Sequence, residues 1–385
     1  MNEHDAVASA RRMAGPVAER STAIEAAGRL PADVVAELRA SGLLGLWLPA
    51  ELGGAEAPAV DVVDAIAALA AADGSTGWCA AVSVSTGVLA AYLPEEGARE
   101  VFATPSTITG GSLNPAGRAT ATTDGYRISG RWGFGSGASH ADWMCGACLL
   151  VDDAGELVTT DEGRPEALLA MLPTSAVTIA DTWHTSGLRA TASHDFEIEA
   201  FDVPRRHTMG FAFTPWPTGP MWRIPPMPLF FAPMAAVALG IARGAIDDLV
   251  DLARVKTPYR SSRRLAERDV IQSMVARAEA ATRSGRAFLL EALDGLAAAA
   301  RRGDEITLVQ RAIVRVAAVN ATQAGMAAVD LCFEAAGTTA LFSDHPLQRR
   351  HRDVHAVGQH VVLAFPGYET AGRVLLGLEP DTALL

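Results

Sequence analysis

Three histidines stand in the run Pro346-Leu347-Gln348-Arg349-Arg350-His351-Arg352-Asp353-Val354-His355-Ala356-Val357-Gly358-Gln359-His360. His360 could serve as acid or base, because an unperturbed imidazole titrates near neutrality and can take up a proton and return it. His351 and His355 are four apart on one helical face, the spacing of a metal pair. No Glu-x-x-His occurs on the other predicted helices to complete such a site, and Arg349, Arg350 and Arg352 would repel a divalent cation, so no metal is expected. Cys145 and Cys148 form a CxxC inside an apolar run that reads as a strand, where the two side chains would point to opposite faces, so packing is the expected role. In Gly135-Ser136-Gly137 a hydroxyl stands between two residues without side chains, where backbone can approach a flat ligand closely; read by itself it is a turn serine. No GxGxxG is present, so a Rossmann dinucleotide site is not expected.

The elements that must hold these residues are legible in outline. With 385 residues, 49% of them apolar, the chain can bury two or three packed modules. A net charge of -12 argues against nucleic acid as a partner. The polar start Met1-Asn2-Glu3-His4-Asp5 shows no secretory pattern, and the prolines of 225–242 make it a poor membrane span; a cytoplasmic protein without a membrane partner is the expectation. Helical spacing runs from 6 to about 103 in four or five helices, interrupted by Pro31, Pro49, Pro58 and Pro94. Strand-like runs follow at 126–132, 143–151, 167–172 and 194–203. A stretch rich in Pro and aromatic residues, 205–231, reads as a linker or lid holding Trp216 and Trp222. Alanine-rich helical faces return at 235–255, 266–301, 307–337 and 351–376. The expected domains are therefore 1–105, helical; 106–230, β with the linker; and 231–385, a helical bundle.

Several motifs then carry a family resemblance over nearly the whole chain. Leu30-Pro31 through Leu46-Trp47-Leu48-Pro49-Ala50-Glu51-Leu52-Gly53-Gly54 resembles the opening signature of the acyl-CoA dehydrogenase superfamily, and Gly187-Leu188-Arg189-Ala190-Thr191 with Phe201-Asp202-Val203-Pro204 resembles its middle hallmark. Trp132-Gly133-Phe134-Gly135-Ser136-Gly137-Ala138-Ser139-His140-Ala141-Asp142-Trp143 and Asp181-Thr182-Trp183-His184 are similar to motifs of the branch of reduced-flavin-dependent, two-component monooxygenases, which includes hydroxyphenylacetate and phenol hydroxylase oxygenase components. Where the family's dehydrogenases carry Tyr-Glu after the Arg-Asp pair, this chain has His360 and Val361; Tyr368-Glu369-Thr370 comes later.

The resemblance implies an α+β fold: an N-terminal helical domain, a central antiparallel β-barrel and a C-terminal four-helix bundle. It implies an oxygenase component that takes FMNH2 or FADH2 from a separate NAD(P)H:flavin reductase, reacts with O2 through a C4a-hydroperoxide and hydroxylates a small aromatic molecule, in a homotetramer. It assigns Ser136, His360 and His140 to catalysis. Trp132, Phe134, Gly135, Ser136, Gly137, Arg260, Gly337, Thr338 and Arg349 are its flavin contacts, and Trp183, His184, Trp216, Trp222 and His355 line the substrate side. Dehydrogenation with Glu369 as base, N- or S-oxygenation, and a non-catalytic family member remain the alternatives.

Overall fold

The computed structural model of the protein describes residues 3–380 and 385; Met1 and Asn2, the start of the polar N-terminus, lie outside them. Five helices open the chain: α1 (Glu3–Ala27), α2 (Ala32–Ala40), α3 (Ala59–Ala72), α4 (Gly74–Gly87) and α5 (Glu95–Val101). Pro31, Pro58 and Pro94 stand directly before α2, α3 and α5, where a fixed φ and a missing N–H interrupt no helical bond. Helix α4 is set by its N-cap, Asp73, whose carboxylate accepts from the Thr76 N–H at 2.7 Å and the Thr76 hydroxyl at 2.8 Å. Every residue of α4 is buried, so its one large side chain, Trp78, is held on all sides.

Seven strands follow among the described residues: β1 (Thr109–Ala121), β2 (Gly125–Trp132), β3 (Trp143–Val151), β4 (Ala167–Pro173), β5 (Thr178–Ala180), β6 (Asp195–Pro204) and β7 (Thr208–Gly210), in the order β5-β6-β2-β1-β3-β4-β7. The expected all-antiparallel pairing is corrected at one place, because β1 and β3 run parallel, Thr109 opposite Trp143. After the β1–β2 hairpin, the connection 133–142 crosses over the start of β1 and enters β3 on its other side, which forces that direction. The crossing segment is the one that carries Ser136 and His140. Strand β1 escaped the sequence reading because Gly110, Gly111, Asn114, Pro115 and Gly117 give it little strand propensity. Two of these small residues have a packing reason: a Cβ on Gly117 would lie 2.2 Å from the Trp132 ring, and one on Gly111 2.0 Å from the Cys145 carbonyl.

The C-terminal helices are α6 (Pro226–Val255), α7 (Asp269–Arg302), α8 (Leu308–Ala336), α9 (Pro346–Val357) and α10 (Pro366–Leu375). Helix α6 starts inside the proline-rich stretch, with Pro226 and Pro228 in its first turn. Although long and apolar enough to cross a membrane, it is buried against α3, α4, α8 and α9. The last predicted helix, 351–376, is two. Pro366 has no N–H to offer and its ring would collide with the carbonyl four residues back, so the helix cannot run through it. Residues 358–365 form the break, and His360 lies in it.

Candidate active site

The break is built from below by Arg315 of α8, which donates to the Val361 carbonyl at 3.0 Å and to the Val362 carbonyl. Its guanidinium also lies 4.6 Å from the centroid of Phe231. Arg315 is 2% exposed and has no carboxylate partner among the described residues. Burial lowers its pKa to about 10, which still leaves it cationic at neutrality. The His360 carbonyl accepts from Leu363 N at 2.8 Å and Ala364 N at 2.9 Å, and its Nδ1 accepts from Val362 N at 3.4 Å. The ring sits edge-on to Trp78 with centroids 5.2 Å apart. Burial, and then the Arg315 charge, push the imidazole pKa down to about 4. The expectation of a group titrating near neutrality is thereby corrected: His360 is neutral at pH 7, and with Nδ1 accepting, its proton is on Nε2.

The same Trp78 also meets the 133–142 crossing. Trp78 Nε1 donates to Ser136 Oγ at 3.0 Å, and Ser136 Oγ lies 2.8 Å from Ser193 Oγ. One indole therefore touches both Ser136 and His360, residues far apart in the chain. Gly137 adopts φ +76°, a turn that an L side chain disfavours, and its N–H bonds the Thr191 carbonyl at 2.9 Å. Arg39 of α2 clamps the far end of the crossing, donating to the two oxygens of Asp142 at 2.7 and 3.0 Å. Phe134, at φ +62°, projects an exposed ring edge-on to Trp183, centroids 6.2 Å apart. His140 lies behind the turn with both ring nitrogens unpaired, and burial followed by the Arg39 charge lowers its pKa to about 4.

The loop between β5 and β6 is tied to α9. Asp353 accepts from Leu188 N at 2.6 Å, and Arg352 binds the Ser186 carbonyl. Gly187 allows this approach, since a Cβ there would lie 2.2 Å from the Arg352 carbonyl oxygen. An open pocket of about 600 Å³ lies under this loop, lined by Trp183, His184, Arg189, Ser139, His194 and Arg29 among others. Arg29 and Arg189 bring positive charge to its wall, and Asp181, near His184 and His194, brings negative charge.

The profile of the acyl-CoA dehydrogenase N-terminal domain matches residues 2–102, and that of the acyl-CoA dehydrogenase C-terminal domain matches 232–365. An indole-3-acetate monooxygenase from Pseudomonas putida is 31% identical over 90% of this chain and 87% of its own. The FADH2-dependent resorcinol hydroxylase oxygenase component of Rhizobium sp. is also 31% identical, over 92% and 90%. The chain belongs to the flavin-dependent monooxygenases of the acyl-CoA dehydrogenase family. Among solved structures, XiaF from Streptomyces sp., in complex with FADH2 and glycerol, superimposes with a TM-score of 0.92 at 25% identity, covering 99% of this chain and 97% of that one. The HsaA monooxygenase of M. tuberculosis gives 0.90 at 26%, covering both chains fully.

For this monooxygenase, the structure gathers Ser136, His360, Phe134, Gly135, Gly137 and His140 around or beside Trp78 and the crossing, with Trp183 and His184 in the adjoining pocket. Other expected residues lie elsewhere. Trp132 is fully buried in the sheet, stacked on Phe196 with its N–H on the Ala147 carbonyl at 2.7 Å. Trp216 and Trp222 have their indole N–H groups committed to the Ala90 carbonyl and Glu56, so the proline-rich stretch is packing around them rather than a shared aromatic pocket. Gly337 and Thr338 line a separate pocket of about 330 Å³ with Lys256, Pro258 and Tyr259, next to the exposed Arg260. Arg349 is not brought there; it is buried against α1, donating to Ser21 and Thr22. His355 pairs with Asp330 at 2.8 Å on the α8–α9 surface. Sequence reasoning missed Trp78, Ser193, Thr191 and Arg315. The alternation of hydroxyls in Thr191-Ala192-Ser193 was the available signal for two of them.

The residues at the crossing fit a flavin. Ser136 Oγ keeps one unshared lone pair beyond its two hydrogen bonds, glycines flank it, and Phe134 offers a flat apolar face beside it.

Proposed function

We propose that this monooxygenase is the oxygenase component of a two-component system that hydroxylates a small aromatic molecule, receiving reduced flavin from a separate NAD(P)H-dependent flavin reductase. The observation that carries the reading is the single indole of Trp78, bonded to Ser136 through its N–H and packed against the His360 ring. A cofactor-facing hydroxyl and a proton-bearing imidazole are thereby held at one place. Bound reduced flavin would supply the two electrons that activate O2. FADH2 rather than FMNH2 is favoured by the FADH2-dependent resorcinol hydroxylase and by the FADH2 held in XiaF.

The chain's own residues supply the rest. Ser136 would hydrogen-bond the N5 edge of the flavin, and Phe134 and Trp183, beside it, would shield the ring from water. His360 offers its Nε2 proton to a substrate oxygen. Arg315, a buried cation without a counter-charge, favours negative charge on that oxygen, as on a phenolate. Arg260, Gly337 and Thr338 are candidates for the phosphate end contributed across a subunit contact. Self-association, as in a homotetramer, is supported by the exposed apolar side chains Leu341, Phe342, Val361, Phe365, Leu375 and Leu376 in and between the C-terminal helices. Four free, buried cysteines suit a reducing, cytoplasmic compartment.

Ser136→Ala tests the cofactor-facing role. The variant is expected to release most of its reduced-flavin electrons as hydrogen peroxide, with product per flavin falling on the order of tenfold, about the worth of one lost buried hydrogen bond. Peroxide and product are quantified after single-turnover mixing of the reduced complex with oxygenated buffer and substrate. An unaltered peroxide share would remove Ser136 from the cofactor site.

A further inference from the structure

Proton counting along the hydroxyls behind Ser136 gives them one direction. Thr191 Oγ1 donates its only proton to the Leu188 carbonyl at 2.8 Å, since a carbonyl cannot donate in return. Its 2.7 Å bond with Ser193 must then use the Ser193 proton. With that proton spent, the 2.8 Å bond between Ser193 and Ser136 must use the Ser136 proton. At the other end, the Trp78 N–H can only donate, and it gives to Ser136 at 3.0 Å. The chain therefore runs Trp78 to Ser136 to Ser193 to Thr191 to the Leu188 carbonyl. Thr191 is fully buried, Ser193 is 3% exposed and Ser136 8%, so water does not compete along it. Its terminus is fixed as well: Leu188 sits at φ +50°, with its N–H on Asp353 at 2.6 Å and its carbonyl also taking the Trp183 N–H at 2.9 Å.

Ser136 is left with a single lone pair to offer a ligand and no proton. The N5 of a reduced flavin carries a hydrogen and donates; the N5 of an oxidised flavin presents a lone pair and accepts. Resting on the reading that Ser136 meets N5, we propose that Thr191 and Ser193 are positioning residues that make the site select the reduced cofactor over the oxidised one. To serve oxidised flavin, Ser136 must turn its proton away from Ser193 and break a buried hydrogen bond, a cost that reduced flavin does not meet. The same polarity favours capture of reduced flavin from solution and release of the oxidised ring after turnover, which suits a cofactor that travels between two proteins.

The test is binding rather than turnover. Dissociation constants of the full-length protein for FAD are measured aerobically, and for FADH2 anaerobically, by fluorescence or calorimetry. Wild type is expected to bind FADH2 at least tenfold tighter. In Ser193→Ala the Ser136 proton is released from its partner, so affinity for oxidised FAD should rise about tenfold while affinity for FADH2 changes about twofold or less. Thr191→Val, which keeps the side-chain shape, should shift the ratio the same way, and Ser193→Thr, which restores the hydroxyl, should return it to the wild-type value. Equal changes in both affinities, or an unchanged ratio in both Ser193→Ala and Thr191→Val, would overturn the proposal. Binding of neither flavin by wild type would overturn the flavin reading itself.

Discussion

Replacing His360 by alanine is expected to lower product formation on the order of 100-fold, the worth of one positioned hydrogen-bond donor at an oxygen that gains negative charge. Reduced flavin should still be oxidised by O2 in the variant, with hydrogen peroxide taking up the electrons that no longer reach product. The edge contact with Trp78 and the cationic neighbour Arg315 place the imidazole where it can act, and the break between α9 and α10 gives it the freedom of a loop residue on a rigid base. The pH profile separates this role from that of an ordinary histidine. Because burial and Arg315 hold the ring pKa at about 4, the His360-dependent limb should fall only as pH drops through about 4, and the rate should be flat where a free imidazole would titrate. A limb near neutrality that disappears in His360→Ala would contradict the buried, neutral ring. Product and peroxide yields measured across pH for both proteins check the whole expectation.

The second large effect is on stability. Asp353 is 3% exposed, and burial, followed by repulsion from Asp73, raises its pKa to about 7, against the lowering influence of the Leu188 N–H and Arg349. Asp73 is raised for the same first reason, burial. In the unfolded chain Asp353 returns to an ordinary value near 3.8. Between these two values the folded state keeps a proton that the unfolded state has lost. The stabilisation from this group is therefore fully present below about pH 4 and is lost as pH rises through about 7. Its full span is on the order of 4 kcal/mol, taken from that difference at about 1.4 kcal/mol for each pH unit. Asp353→Asn retains an acceptor for Leu188 N–H but cannot ionise, so its stability should decline less than that of wild type between pH 5 and pH 8. Denaturant midpoints at the two pH values measure this, and parallel declines in both proteins would show that Asp353 is ionised in the fold.

How far the sequence announced this molecule depends on the kind of signal each part carries. Strands β2, β3, β4 and β6 were legible because apolar runs of strand length are bounded by turn residues, and α7 and α8 because alanine-rich faces repeat at helical spacing. Strand β1 was not, since its glycines answer to neighbours, Trp132 and Cys145, that only the folded sheet supplies. The split of 351–376 was underread: Pro366 stands in the open, but an apolar pattern on both sides conceals it. Ser136 and His360 were reachable through motifs, whereas Trp78 lies in a helix of small residues where nothing marks it as more than core. Its importance comes from touching two motifs at once, a relation with no local trace in the chain. The aromatic residues Trp216 and Trp222 gave the opposite lesson, because a cluster in sequence became separate packing sites in space.

The most direct test of the central claim is a single turnover with 18O2. Protein loaded anaerobically with FADH2 is mixed with labelled oxygen in the presence of a panel of phenols and indoles, and products are read by mass spectrometry. One atom of 18O in a hydroxylated ring, lost in His360→Ala together with a rise in peroxide, is the result expected. Return of the flavin to its oxidised, still tightly bound form, with no labelled product from any member of the panel and desaturation of an acyl thioester instead, would contradict it.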